Sequence, residues 1–343
     1  MDTVALLTAQ YLQQVEPPSL ALPDGPTLVS PTIQTAIYEN MFNEDTAWPL
    51  PPAPYQTRIL KTIIARIEES ISDPEENEIL DNLLEKWTSL LSTPKPSALE
   101  QAQRLTFIKY SAPTSSPSET IAEYSTPRRT IITSENRSLI LSAGTTGFRT
   151  WEAALHLGTY LSTTDTGKSL VANKRVLELG AGTGFLSLLC AKHLGAGKVV
   201  VTDREPALIE QIDVCIEKNG LDRNLIQAGI WEWGMQLKVP LSQEQHAAQD
   251  EKPVFDVALG ADLIYDSDIV PLLVSTIRDL FDNYALKEFI IAATLRNEDT
   301  FRTFLDSCGK SPPPILPFYC PLLLSTLPSY GTSWQVPTLV SRA

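Results

Sequence analysis

The residues best placed to do chemistry fall in one short run and in a few acids and aromatics spread after it. Val176-Leu-Glu-Leu-Gly-Ala-Gly-Thr-Gly-Phe-Leu186 carries three glycines, Gly180, Gly182 and Gly184, with the carboxylate of Glu178 two residues before them. The apolar run over 175–179 reads as a strand that stops at the glycines. Phe185, Leu186, Leu188, Leu189 and Ala191 then follow a helical pattern. Strand, glycine loop and helix in that order build nucleotide sites in α/β folds, because a residue without Cβ lets a ligand approach the backbone.

Glu178 narrows what that ligand is. A dinucleotide would set its pyrophosphate on the N–H groups at the helix start, where a nearby carboxylate repels it. The spacing is also Gly-x-Gly-x-Gly, not the Gly-x-Gly-x-x-Gly of dinucleotide sites. An ammonium and a sulfonium suit the carboxylate, and S-adenosylmethionine carries both. The plainer alternative has Glu178 facing solvent at a strand end.

Asp203 closes the next strand, 25 residues after Glu178. An acid there can accept both ribose hydroxyls of an adenosine; before Arg204-Glu205-Pro206 it could equally cap a helix. Trp233 offers an adenine wall or ordinary packing, with Glu232 beside it able to meet an exocyclic amine. Trp151 stands where the glycine-bearing loop Gly144–Thr150 meets a helix, either as core or as a cover over a cofactor. Asp262-Leu-Ile-Tyr265 follows a third strand, and Asp262 reads either as a substrate-facing carboxylate or as a turn residue.

The elements that must hold these residues alternate strand and helix. Strands are expected over Arg175–Leu179, Lys198–Thr202, Leu225–Ala228, Phe255–Leu259 and Glu288–Ala293, with helices over Pro206–Asn219, Val270–Tyr284 and Glu298–Cys308. This order predicts a parallel sheet with right-handed crossovers, and ligands lie beyond its carboxyl ends. Residues 236–252 are polar and read as a loop. Ahead of the sheet, residues 1–115 read as a helical region. A helix ends at Pro17-Pro18, a proline-rich loop and linker runs to Pro54, and two apolar stripes follow. Ile59, Leu60, Ile63, Ile64, Ile67 and Ile71 form the first, and Ile79, Leu80, Leu83, Leu84, Trp87, Leu90 and Leu91 the second. Pro74 is expected in the first turn of the second helix, and a further helix through Leu99, Ala102 and Leu105. Residues 129–133 and 138–142 read as a hairpin.

Composition limits the function classes. The chain has 343 residues, 43% hydrophobic and 20% charged, with a net charge of −14. That balance argues against nucleic acid as the main partner, since phosphate binding requires basic surface. No apolar run reaches the roughly 18–20 residues of a membrane helix, and the start lacks the basic and long apolar regions of a signal peptide, so a cytoplasmic location is expected. Four cysteines (190, 215, 308, 320) form no C-x-x-C pair and only three histidines are present, so no metal site is expected.

Gly144-Thr-Thr-Gly-Phe-Arg-Thr-Trp-Glu-Ala-Ala154, the glycine loop, Trp233-Gly234 and Asp262-Leu-Ile-Tyr265 together resemble the seven-β-strand lysine methyltransferases. The helical N-terminal region and the Gly-Thr-Thr-Gly segment look most like the eukaryotic elongation factor 2 lysine methyltransferases. The resemblance covers residues 129–308 well and the N-terminal third loosely. It implies a Rossmann-like α/β domain over 116–308 that binds S-adenosylmethionine through Trp151, Glu178, Gly180, Gly182, Gly184, Asp203, Trp233 and Ala261. It implies that Asp262 and Tyr265 face the lysine of a protein substrate, elongation factor 2, and that the enzyme works as a monomer without a membrane. A small-molecule methyltransferase, a nicotinamide-dependent oxidoreductase and a non-catalytic module remain open from the residues alone. The tail, 309–343, departs from the family: seven-strand methyltransferases close with an antiparallel strand pair, and Pro312–Pro314 with further prolines through Pro337 make the tail a poor source of one, with 334–340 the stretch that could form a strand. The residues leave both outcomes open: an irregular tail with the last parallel strand an exposed edge, or a closing pair.

Overall fold

A computed structural model describes residues 3–73, 75, 77–94, 96–97, 99–100, 104–112, 129–137, 145–237, 253–310, 317–321 and 337–342. The chain divides into two compact units, Met1–Ser111 with Ser118–Leu139, and Ala112–Pro117 with Ile140–Ala343.

The first unit is built from α1 (Thr3–Leu12), α2 (Gly25–Val29), α3 (Pro31–Met41), α4 (Ala53–Glu68) and α5 (Asp81–Ser92), with strands β1 (Thr106–Ser111) and β2 (Thr130–Glu135). The stripe on α4 is core as expected: Ile59, Leu60, Ile63, Ile64 and Ile67 are buried with Leu7, Tyr11, Ile37, Met41 and Phe42. Two helices replace the expected proline-rich loop. Pro31 opens α3 at its first position, where a fixed φ and a missing N–H cost nothing. Asp24 caps α2 by accepting the Thr27 N–H at 2.8 Å.

The helix expected from Pro74 starts instead at Asp81. Buried Gln34 explains the later start. Its Oε1 accepts the Leu80 N–H at 3.0 Å and its Nε2 donates to the Glu78 carbonyl at 3.0 Å, holding that backbone extended. Leu105 precedes β1 outside any helix, and Ala102 lies outside the described residues.

The expected hairpin has a different partner. β2 pairs antiparallel with β1, Thr106 opposite Glu135, while residues 138–142 lie outside the described residues. Glu135 is fully buried at the end of this ladder. It accepts from Tyr110 Oη (2.8 Å), Thr133 Oγ1 (2.7 Å) and Arg137 Nε (3.2 Å). Arg137 also donates to the Gln13 carbonyl at 2.7 Å, tying β2 to the end of α1.

The second unit is an α/β domain. Its sheet runs in the order β5-β4-β3-β6-β7-β9-β8, from β3 (Arg175–Leu179), β4 (Lys198–Asp203), β5 (Ile226–Ile230), β6 (Val257–Ala261), β7 (Glu288–Ala292), β8 (Pro317–Pro321) and β9 (Pro337–Arg342). The first five strands are parallel. Helices α6 (Glu152–Thr163), α7 (Asp165–Val171), α8 (Phe185–His193), α9 (Pro206–Lys218), α10 (Val270–Asn283) and α11 (Glu298–Lys310) complete it. Val176, Leu177 and Val199–Val201 are buried, as β-branched and apolar strands covered on both faces must be. α10 buries Val270, Leu273, Val274, Ile277 and Leu280, one face at helical spacing. At the amino ends, Asp256 accepts Arg175 Nε (3.1 Å) and Lys287 Nζ (2.9 Å), fixing where β3 and β7 begin beside β6.

The tail supplies the strand pair that its prolines left open. β9 lies antiparallel to β7 and to β8, so β7 is not an edge. Pro317, Pro321 and Pro337 stand at strand ends, where a missing N–H least disturbs the ladder. Among the described residues, no helix is long and apolar enough to cross a membrane.

The Glu135–Arg137 pair yields a stability prediction. Arg137→Met leaves a buried carboxylate uncompensated and should cost about 3 kcal/mol in urea unfolding followed by circular dichroism. Adding Glu135→Gln to that variant should recover most of the loss.

Candidate active site

The order of the sheet reverses at β3: the chain moves outward through β4 and β5, then returns to β6 on the other side. The carboxyl ends of β3, β4 and β6 therefore open onto one crevice. The sequence places Glu178, Asp203 and Ala261 at those three ends.

Gly180, Gly182 and Gly184 all hold φ in the left-handed region, at +55°, +54° and +73°. At Gly182 space demands glycine as well: a Cβ there would lie 2.9 Å from the Gly147 carbonyl oxygen, whereas one on Gly180 would meet the movable end of Leu263, 2.8 Å from its Cδ2. The first contact shows that the loop before Trp151 lies directly on the glycine loop. Thr150 Oγ1 and Thr183 Oγ1, 2.6 Å apart, join them again.

Asp203 grips this loop from the neighbouring strand. Its Oδ2 accepts the Gly182 N–H at 3.0 Å and its Oδ1 the Glu205 N–H at 3.1 Å. Capping of α9 falls to Glu205, which accepts the Ala207 N–H. Burial raises the Asp203 pKa, with the N–H groups of Gly182 and Glu205 opposing.

Glu178 does not take the solvent-facing orientation. It is 3% exposed, so it does not face solvent, and its Oε2 accepts both the N–H (2.9 Å) and the hydroxyl of Ser187 in the first turn of α8. Among the described residues no donor reaches its Oε1. Burial pushes its pKa up to about 7; Ser187 works against that rise and Asp203 adds to it. The sequence signal for this pairing is a serine in the first helical turn.

The remaining residues converge on the same loop. Trp233 Cζ2 would stand 3.5 Å from a Cβ on Gly180, and Leu263 closer still, so Trp233 and the Asp262–Tyr265 segment both border Gly180. Trp231, not Trp233, is the deeply buried indole. Asp262 holds φ +59°. Its N–H donates to the Ala292 carbonyl at 2.7 Å, its Oδ1 accepts the Thr294 N–H at 3.0 Å, and its Oδ2 accepts Arg296 Nη2 at 2.7 Å. Tyr265 is 56% exposed.

Trp151 is half-buried at the start of α6 and donates its indole N–H to the Thr146 carbonyl at 3.1 Å. The Arg149 and Arg296 guanidiniums lie 5.2 and 5.1 Å from its ring centroid. Trp151, Arg296 and Asp262 thus form one chain of contacts. Sequence reasoning missed Arg296, although an isolated cation just past a strand end in an acidic chain is a readable sign.

A family profile described as lysine methyltransferase matches residues 139–310. The chain belongs to that family. It is 41% identical over 302 residues to the protein-lysine N-methyltransferase EFM3 of Chaetomium thermophilum, covering 88% of this chain and 85% of that protein. It is 27% identical to the human protein-lysine N-methyltransferase EEF2KMT, over 55% of this chain and 57% of the relative. To the mouse EEF1A lysine methyltransferase 3 it is 31% identical, over 46% and 59%. The chain is therefore a protein-lysine methyltransferase that uses S-adenosylmethionine, and the oxidoreductase alternative falls.

The crevice fits that cofactor. Three left-handed glycines leave backbone open to a ligand, and two buried carboxylates, Glu178 and Asp203, favour a cation over a phosphate. Gly182→Ala sets a Cβ against the Gly147 carbonyl in a left-handed position. It should cost roughly 1–3 kcal/mol of stability and weaken S-adenosylhomocysteine binding at least tenfold, read by thermal melting and calorimetry. Unchanged affinity would mean that the loop does not meet the cofactor.

Proposed function

We propose that this methyltransferase acts on a lysine of translation elongation factor 2, in the cytoplasm and as a monomer. Support comes from the Gly-Thr-Thr-Gly segment and helical N-terminal region, which resemble elongation factor 2 lysine methyltransferases. The net charge of −14 is compatible with a protein partner that carries basic surface.

In this reading Trp151, Glu178, Gly180, Gly182, Gly184, Asp203, Trp233 and Ala261 surround the cofactor. Asp203 accepts from the ribose hydroxyls, Glu178 favours the cofactor's positive charge, and Trp233 walls the adenine. When bound, the cofactor supplies a methyl group on a positively charged sulfur. The protein must then bring in an amine, align it behind the methyl–sulfur bond and exclude water.

Asp262 orients the lysine and Tyr265 forms a wall of its channel, offering a ring face to the cation. The observation that carries this assignment is the contact of Leu263 with Gly180. It sets the Asp262–Tyr265 segment at the rim of the glycine loop, where donor and acceptor have to meet. The amine must lose its proton first. From a free lysine pKa near 10.4, doing so at pH 7 costs about 4–5 kcal/mol, and the proton passes to water. The similarity to the mouse EEF1A lysine methyltransferase 3 favours a second acceptor, elongation factor 1A.

Purified elongation factors 2 and 1A, each incubated with enzyme and methyl-labelled S-adenosylmethionine, decide between them. Label on elongation factor 2 is expected; label on 1A alone would replace the acceptor, and label on neither would reject both. Asp262→Asn, which tolerates the left-handed backbone, should lower kcat roughly 100-fold with S-adenosylhomocysteine affinity retained. An unaltered kcat would remove Asp262 from the site.

A further inference from the structure

Asp262 has a difficulty in the role just given to it. A carboxylate beside an ammonium stabilises the ammonium, yet the reaction needs the free amine. In this protein the carboxylate is not bare. Arg296 Nη2 lies 2.7 Å from Asp262 Oδ2, and the Thr294 N–H lies 3.0 Å from Oδ1.

Arg296 is itself held in place. Its guanidinium carbon sits 5.1 Å from the centre of the Trp151 ring, and it follows β7 by only four residues, so the strand fixes its origin. Of the other charged groups nearby, Glu152 of α6 acts on Arg296 but pairs with Arg149 at 3.3 Å. Asp203, Arg204 and Asp266 act on Tyr265 and leave one negative charge between them. Asp262 and Arg296 themselves face an incoming lysine as a pair with little net charge.

We infer that Arg296 is a positioning residue for methyl transfer: it neutralises and orients Asp262, so that a lysine held there gives up its proton more readily. The inference rests on the proposed lysine-facing role of Asp262. The carboxylate still accepts a hydrogen bond from the amine, but it no longer opposes deprotonation with a full charge. The ammonium N–H bond breaks and its proton goes to water. The nitrogen keeps the electron pair that forms the new bond to the methyl carbon, as the carbon–sulfur bonding pair returns to sulfur.

The test is the pH profile of kcat between pH 6 and 10, with elongation factor 2 and saturating cofactor. Arg296→Met should move the rising limb upward by about one pH unit, and Arg296→Lys should bring it most of the way back. Arg296→Gln, which keeps a polar side chain without charge, serves if the Met variant does not fold, and should show the same displacement. A merely structural role would lower the rate equally at every pH and leave the limb unmoved. An unmoved limb in a variant that still binds S-adenosylhomocysteine overturns the inference. The two failures separate cleanly: wild-type enzyme that labels no lysine rejects the proposed acceptor, whereas active wild type with an unmoved variant limb rejects only the part played by Arg296.

Discussion

Two buried carboxylates at the ends of neighbouring parallel strands set the shape of the crevice. Asp203 accepts the Gly182 N–H, and Glu178 accepts the N–H and hydroxyl of Ser187 just beyond the loop. Between them they grip the glycine loop at its middle and at the first turn of α8. Burial raises the pKa of both groups, so ionising either one works against its surroundings. A positive ligand relieves that opposition. The same arrangement is hostile to a pyrophosphate.

The turn after β6 is organised differently. Asp262 occupies a left-handed backbone position after β6, its N–H bonded to the end of β7 and its carboxylate to Thr294 and Arg296. Leu263, next in the chain, fills the space above Gly180. One tight turn thus couples the glycine loop to the Asp262–Tyr265 segment. Trp151 extends the coupling through Arg296 to the loop that lies on Gly182.

Much of this was legible in the residues. The alternation of strands and helices, the glycine loop and the acids at strand ends all follow from local pattern, because a parallel sheet sets its ligand-facing residues at predictable places. What escaped depends on direction or distance. Glu178 could be placed at the strand end, but not turned towards Ser187, since side-chain direction is not written in spacing. Arg296 reaches Asp262 across 34 residues. β2 finds its partner in β1 and not in the adjacent segment, a non-local pairing that turn signals do not reveal. Prolines obscured structure twice for one reason: Pro31 starts a helix and Pro317, Pro321 and Pro337 end strands, positions where the missing N–H does little harm.

A carboxylate buried to meet a cationic ligand costs the ligand-free protein stability, and Glu178 is the group in which to measure that cost. With its pKa raised from 4.5 to about 7, folded and unfolded states are both protonated well below pH 4.5. Between about 4.5 and 7 the unfolded chain releases the proton first, so stability falls as pH rises. Above 7 the full penalty, on the order of 3 kcal/mol, is present. Glutamine lacks this penalty and can still accept from Ser187. The direct measurement is the difference in melting temperature between Glu178→Gln and wild type, without ligand, from pH 4 to 8. The difference should be near zero at pH 4 and grow in favour of the variant up to about pH 7, while S-adenosylhomocysteine binds the variant more weakly. A difference that does not change with pH, or a variant that binds as well as wild type, would contradict this expectation.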